Sequence, residues 1–355
     1  MITAQEHGIP EDCSTRTAVL LPGAMTVAML GIAALTASLS SLDVRQLFLP
    51  YISSAAAISF IAILGYVFVQ IAKLARANAE SPIMAVRLML LDRLPLMLLP
   101  ALVLPLFLVG YTAAKCAIQF LVGYSWDAFF ANADHFIFRD DVWHLTRRLL
   151  GSSNSWVWEW IYAVGWGAVF FITANAVALF ARKKFIGIYF TAMFATWLIG
   201  GCILAYAFSA AGPVFAGFFE PGVVARFKPM HQALDASLGT GPIAFTQRYL
   251  ATIINVHTAV KGGGISAMPS MHLGSATIFV LAAQRTRWLI PSLVFWGVIF
   301  IGSGYFGYHY WVDGLAAAVV ATFAWKCAEW AYSGRDRHSV ASRSVSANAA
   351  ILGGV

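Results

Sequence analysis

The sequence predicts an all-α, polytopic membrane bundle of about eight transmembrane helices, and three observations lead there. The 355 residues are 60% hydrophobic and only 11% charged, with a mean hydropathy of +0.74, whereas a soluble domain carries about 25% charged residues. The charges are clustered, and none lies between Arg16 and Asp43. Eight apolar stretches, at 17–40, 50–72, 94–114, 156–181, 186–209, 266–284, 288–308 and 309–332, approach the ~20 residues needed to cross a hydrocarbon core of about 30 Å.

The first stretch is long and lacks a small-residue cleavage pattern after it, so it is expected to be a retained span rather than a signal peptide. The third carries Pro95, Pro100 and Pro105 and should be kinked. With the N-terminus inside, the inner segments hold Arg16, Lys73, Arg76, Arg87, Arg93, Arg182, Lys183, Lys184, Arg285, Arg287, Lys326, Arg335, Arg337 and Arg343, fourteen of the 23 basic residues. The rest fall mostly in two long outer segments, which count for little in setting orientation. A multi-pass protein of the plasma or inner membrane follows, its longer loops outside. The net charge of +7 arises from residues at the ends of apolar runs, so it points to the membrane and not to nucleic acid. Cys13, Cys116, Cys202 and Cys327 have neither metal-ligand nor disulfide spacing.

The outer segment 115–155 holds Trp126, Asp127, Asp134, Asp140, Asp141 and Trp143, and Trp156, Trp158 and Trp160 follow where an interfacial belt is expected. In the second outer segment, 210–265, the apolar stretch 242–256 with its single Arg248 reads as a helix along the interface. The domain boundaries expected are a tail at 1–15, N-terminal transmembrane helices at 16–114, a C-terminal region at 115–332 and a Ser-, Arg- and Ala-rich disordered tail at 333–355.

Two short stretches carry chemistry: Gly262-Gly263-Gly264-Ile265-Ser266-Ala267-Met268-Pro269-Ser270-Met271-His272, and His309-Tyr310-Trp311-Val312-Asp313. His309 and Asp313 are four apart at a helix start and so share a face. A carboxylate accepting from one imidazole nitrogen fixes the tautomer and leaves the other nitrogen nucleophilic. The bland alternative is a histidine–aspartate pair that only satisfies itself. His272 begins a span running inward, and the next span returns to His309, 37 residues on. At about 1.5 Å per residue this is two crossings, which brings both histidines to one face. His272 could then protonate a leaving oxygen while His309 attacks phosphorus. Pro269 and Ser270 open a helix whose free amides suit an anion, with Ser270 adding a hydroxyl. The glycine run either lets backbone approach closely or is a flexible connector.

Pro269-Ser270-Met271-His272 and His309-x-x-x-Asp313 resemble the second and third motifs of the type 2 phosphatidic acid phosphatase superfamily, integral membrane relatives of vanadium haloperoxidases. Ala267 to His272, His309 to Asp313 and Ser209-Ala210-Ala211-Gly212-Pro213-Val214-Phe215 resemble its inositol phosphorylceramide synthase branch. The resemblance implies a six-helix phosphatase-like core, makes 115–332 the catalytic region, and implies a phosphohistidine at His309, acid–base work by His272, and Asp313 orienting His309. It also implies a phosphorylated lipid substrate, with an alcohol acceptor if the enzyme transfers, a site on the outer or periplasmic side, and no cofactor or metal.

Two departures stand out. Where phosphatases of the superfamily carry a Ser-Arg pair, this chain has Gly302 and Ser303, and the first motif is not recognisable. Another cation must therefore neutralise the phosphate. Lys261 and Arg248 are the favoured candidates, Arg226 and Lys228 the others, and each could equally be a solvated or headgroup-contacting charge. His135, His144, His231 and His257 read as loop histidines. The synthase branch shares the missing arginine, which favours a phosphotransferase; a lipid phosphate phosphatase is the alternative. A non-catalytic lipid transporter or structural membrane protein is the rival of another class, although no inverted repeat is visible.

Overall fold

Ser14 accepts a hydrogen bond from the Thr17 N–H and opens the first helix, α1 (Thr15–Ser40). In this computed structural model residues 13–151 and 155–352 are described, with side chains through Ser333; most of the expected N-terminal tail and the last three residues lie outside them. After α2 (Phe48–Arg76) comes a rod made of α3 (Pro82–Leu98), a π-helical stretch Leu99–Val103, and α4 (Leu104–Leu121). Proline lacks the N–H and crowds the carbonyl four residues back, and here the disturbance expected at Pro95, Pro100 and Pro105 takes the form of the wider π register between α3 and α4.

The chain then forms α5 (Asp127–Phe138) and α6 (Val142–Leu150). Next, α7 (Ser155–Glu159) continues through a π stretch, Trp160–Gly165, into α8 (Trp166–Phe180). Beyond it α9 (Lys183–Leu198) continues through a second π stretch, Ile199–Leu204, into α10 (Ala205–Ala207). The second outer segment contains α11 (Pro213–Ala216), α12 (Val224–Leu238) and α13 (Pro242–Thr252), so the expected helix at 242–256 is present over its first eleven residues. The last three helices are α14 (Met271–Ala283), α15 (Leu289–Tyr305) and α16 (Trp311–Leu352).

Among the described residues six helices are long and apolar enough to cross a membrane: Thr15–Ser40, Arg45–Arg76, Pro82–Leu121, Ser155–Phe180, Lys183–Ala207 and Trp311–Ser333. With the shorter apolar α14 and α15 they make up the eight expected from the sequence. Leu49, Phe60, Ile61 and Phe68 on α2, and Val319, Phe323 and Trp330 on α16, are exposed; an apolar belt of this kind is suited to lipid rather than water.

Two expectations need correction. The third span does not end at 114. Beyond Lys115 the apolar run resumes with Cys116-Ala117-Ile118, and the long lysine side chain costs little in a helix, so α4 reaches Leu121 and carries Lys115 within it. The backbone at 334–352 is not irregular but continues α16. An established helix propagates through alanine and arginine without a new nucleus.

The core lies in two clusters. One joins α1, α4, α9, α14 and α16 and includes the stacked Phe107 and Phe194 rings, 4.3 Å apart. The other lies under the outer helices and holds Phe130, Trp143, Phe227, Tyr305, Phe306 and Tyr310. Beside the second cluster, two buried carboxylates on one face of α5 hold backbone of the outer layer and of α16. Asp134 accepts the Trp311 and Val312 N–H groups through its two oxygens, at 2.8 and 2.9 Å. These are first-turn amides of α16, which have no intrahelical acceptor. Asp127 accepts the Ala211 and Gly212 N–H groups, both at 2.8 Å, and the Tyr310 hydroxyl at 3.0 Å.

Replacing Asp134 by alanine should therefore destabilise the fold by about 1–3 kcal/mol, because two buried amides lose their acceptor. Thermal unfolding of the detergent-solubilised protein checks this; an unchanged midpoint would show that α16 starts without help from α5.

Candidate active site

The α14–α15 hairpin and the turn at 306–310 bring His272 and His309 together at one end of the bundle, their ring centroids 5.7 Å apart. His272 lies in the first turn of α14, with its ring over Trp166 at 4.3 Å and nearly parallel to Tyr162 at 5.2 Å. His309 sits just before α16 and is 5% exposed. Ser270 N–H donates to the Asp313 carbonyl at 3.1 Å and Ala267 N–H to the Ala210 carbonyl at 2.8 Å, so backbone bonds join the histidine segments to each other and to the 209–215 stretch. Gly212 has φ +86° and a Cβ there would lie 2.4 Å from the Tyr308 carbonyl oxygen, so no other residue fits this crossing.

The orienting bond on His309 differs from the expected one. Its Nδ1 lies 2.7 Å from the Ala267 carbonyl oxygen and 3.6 Å from Asp313 Oδ2. A carbonyl only accepts, so Nδ1 carries the proton and Nε2 keeps its lone pair. Asp313 is fully buried; its Oδ2 accepts the Tyr310 N–H at 2.9 Å, and its Oδ1 has no partner among the described residues. Asp313 thus closes the first turn of α16 and sits beside the imidazole, while the main chain of Ala267 makes the hydrogen bond. Sequence spacing aligns side chains on a helix but does not reveal a carbonyl 42 positions away.

A cavity of about 370 Å³ opens beside the two imidazoles. Of the expected phosphate ligands only Lys261 lines it, and its Nζ is already held by Ser54 Oγ at 2.6 Å and the Pro50 carbonyl at 3.2 Å. Arg248 points elsewhere, toward the Gly239 carbonyl, and is not part of the lining. Ser270 is fully buried as the N-cap of α14, accepting from the Leu273 N–H at 3.5 Å, and does not reach the cavity either. A capping hydroxyl is turned into its own helix, which is why it is not available to an anion.

The cation that does face the site is Lys115 of α4, which lines the cavity and has no hydrogen-bond or ion-pair partner among the described residues. Gly264, at φ +77°, presses against the Lys115–Cys116 backbone, where a Cβ would meet the Cys116 nitrogen at 2.9 Å. The glycine run therefore serves close approach at this position. The signal for Lys115 was present as a lone charge within an apolar run, and such residues are functional candidates by default; placing the end of the span at 114 hid it. The position of the missing motif arginine is closed: Ser303 is fully buried with its hydroxyl on the Phe300 carbonyl, and the Tyr162 ring covers Gly302.

Burial holds the His309 imidazole down at about 4; the Ala267 carbonyl opposes this and the Lys115 charge adds to it. Burial likewise pushes Asp134 up to about 7 and Asp127 up to about 6, against the N–H groups that favour their charged forms. Arg226 pairs with Asp141 and also donates to Asn132 Oδ1 at 2.8 Å, and His135 and His144 each contact a carboxylate of the Asp140–Asp141 pair. None of these three residues lines the cavity, nor does Lys228, His231 or His257.

Two imidazoles from separate elements, one with a free Nε2, face a cavity that Lys115 also lines, at one end of a bundle whose long helices are apolar enough to span a membrane. The sequence profile of the PAP2 superfamily matches residues 143–327, more than half of the chain, and the chain belongs to that superfamily. Membership suggests a lipid-phosphatase-type activity. No match was found among curated proteins or among solved structures. The matched stretch includes His272, His309 and Asp313 but stops short of Lys115, Asp127 and Asp134.

Because the folded protein favours neutral His309, its imidazole should stay reactive toward diethyl pyrocarbonate from neutral pH down to about 5 and lose reactivity only as pH falls through about 4. Peptide mass spectrometry over a pH series measures this, and a midpoint at 6.5 would contradict the buried environment.

Proposed function

We propose that the protein is an integral membrane enzyme that transfers a phosphoryl-type group from a phosphorylated lipid through a phosphohistidine at His309. The observation that carries this reading is the convergence of His272 and His309 on a cavity that also holds Lys115. The Nε2 lone pair of His309 attacks phosphorus as the ester P–O bond breaks. The alcohol oxygen leaves with the bonding pair and takes a proton from protonated His272. A second hydroxyl compound then gives its proton to His272 and attacks phosphorus, and the N–P pair returns to His309. Lys115 balances the charge on the phosphoryl oxygens, the part an arginine plays in related phosphatases. Asp313 stabilises the cation that His309 becomes when phosphorylated.

An alcohol acceptor makes the enzyme a phosphotransferase, and water makes it a phosphatase. The resemblance of Ala267 to His272 and of His309 to Asp313 to the inositol phosphorylceramide synthase branch supports transfer. The distribution of basic residues supports a site facing the outer or periplasmic side of the plasma or inner membrane.

His309→Ala should abolish turnover of a phospholipid or prenyl phosphate and remove the acid-labile phosphoenzyme, while the protein still inserts; full activity in this variant would sink the proposed nucleophile. Lys115→Met should lower kcat/KM by about 10²–10³, with partial recovery in Lys115→Arg. Asp313→Asn should leave a small residual rate. Vanadate, which mimics five-coordinate phosphorus on histidine, should inhibit competitively with the lipid. Steady-state kinetics in mixed micelles reads all of these.

A further inference from the structure

Two groups in the cavity wall have no part in this scheme. Tyr162 and Tyr308 both line the cavity, and the hydroxyl oxygens of both are buried without a hydrogen-bond partner. Tyr162 is 2% exposed. A buried phenol normally finds a partner, so an unpartnered one at a site calls for a ligand that supplies it. The two rings lie nearly parallel, 12° apart with centroids at 6.0 Å, and Tyr162 in turn stacks on His272. Tyr162 stands on the π stretch Trp160–Gly165, is wedged against Gly302, and touches Phe306 at 5.5 Å. These contacts leave the rings little freedom, so the hydroxyls are held rigidly before any ligand arrives.

Their place relative to the histidines indicates what they meet. On the reading that His309 attacks phosphorus and His272 serves the departing oxygen, the alcohol occupies the His272 side in both half-reactions, first as leaving group and then as acceptor. Tyr162 borders that side. Lys115 already answers the phosphoryl charge. A phenol both donates and accepts, which matches a hydroxyl. We infer that Tyr162 and Tyr308 form an alcohol subsite beside His272 that selects an alcohol with a second hydroxyl next to the reacting one, a vicinal diol or larger polyol. A site built to pair a hydroxyl discriminates against the analogue that lacks it, since its own polar groups are then stranded.

The test uses the full-length protein in lipid nanodiscs, ³²P-labelled dioctanoyl phosphatidate as donor, and propane-1,2-diol against propan-1-ol at equal concentration. The wild type is expected to phosphorylate the diol at least about tenfold more than the mono-alcohol, and Tyr162→Phe/Tyr308→Phe is expected to bring that ratio close to one. Phenylalanine keeps the stacked rings, and the ratio is insensitive to a general loss of active protein. Equal use of both alcohols by the wild type, hydrolysis with no alcohol product, or an undiminished ratio in the double variant would each overturn the inference. So would a phosphoenzyme formation rate that falls as far as diol transfer, since the hydroxyls would then act on the phosphate. Label on His309 in any of these cases leaves the phosphohistidine reading standing; no label on His309 in the wild type removes that reading itself.

Discussion

In a bundle this apolar, a buried polar group has no water to fall back on, and its partner must come from the protein itself. The two carboxylates of α5 meet that constraint with main-chain amides rather than with cations. Asp127 holds the 211–212 peptide units and Asp134 the first turn of α16. The segments they grip flank His309 on both sides. The Val214 N–H reaches the Gly307 carbonyl at 2.8 Å and completes the frame. The nucleophile candidate thus rests on an outer layer of short helices as much as on the membrane-crossing ones.

The same constraint shapes the charges of the cavity. Lys261 enters from the outer loop but is anchored to α2 through Ser54 and Pro50, and Tyr51 of α2 also forms part of the wall. The N-terminal helices, which lie outside the part of the chain that matches the superfamily profile, therefore contribute to the site. Lys115 arrives from α4, which also lies outside the matched region, and reaches the cavity with no hydrogen-bond or ion-pair partner among the described residues. An unpaired amine in such surroundings is costly in its charged form unless an anion comes to meet it. His309 complements this arrangement, since its neutral imidazole adds no positive charge of its own while its Nε2 stays free.

Much of this was legible from the residues. The eight crossings appeared as apolar runs because lipid imposes a length and a composition on any helix that spans it. His272 and His309 could be placed at one face from the 37 positions between them, since a helix has a fixed rise. The boundary of the third span was missed because a single lysine looks like the end of an apolar run, although its long side chain lets the helix continue. Ser270 and Arg248 fall outside the cavity lining for a related reason: residue type and proximity in sequence say nothing about which way a capped or outward-facing side chain is turned. The long continuation of α16 was hidden by a composition rich in serine and arginine, which resembles solvated coil when read without the helix that precedes it.

By itself, then, the amino-acid sequence determined the membrane bundle, its crossings and the pair of histidines that meet at one end, because each of these depends on local composition and on distance along the chain. Only the tertiary structure decided the partners: the Ala267 carbonyl on His309, Lys115 on the cavity wall, Asp134 on the first turn of α16, and the unpaired hydroxyls of Tyr162 and Tyr308. These contacts join positions tens to nearly two hundred residues apart, and hydrogen-bond geometry across such separations is set by how the helices pack, which no periodicity in the sequence encodes.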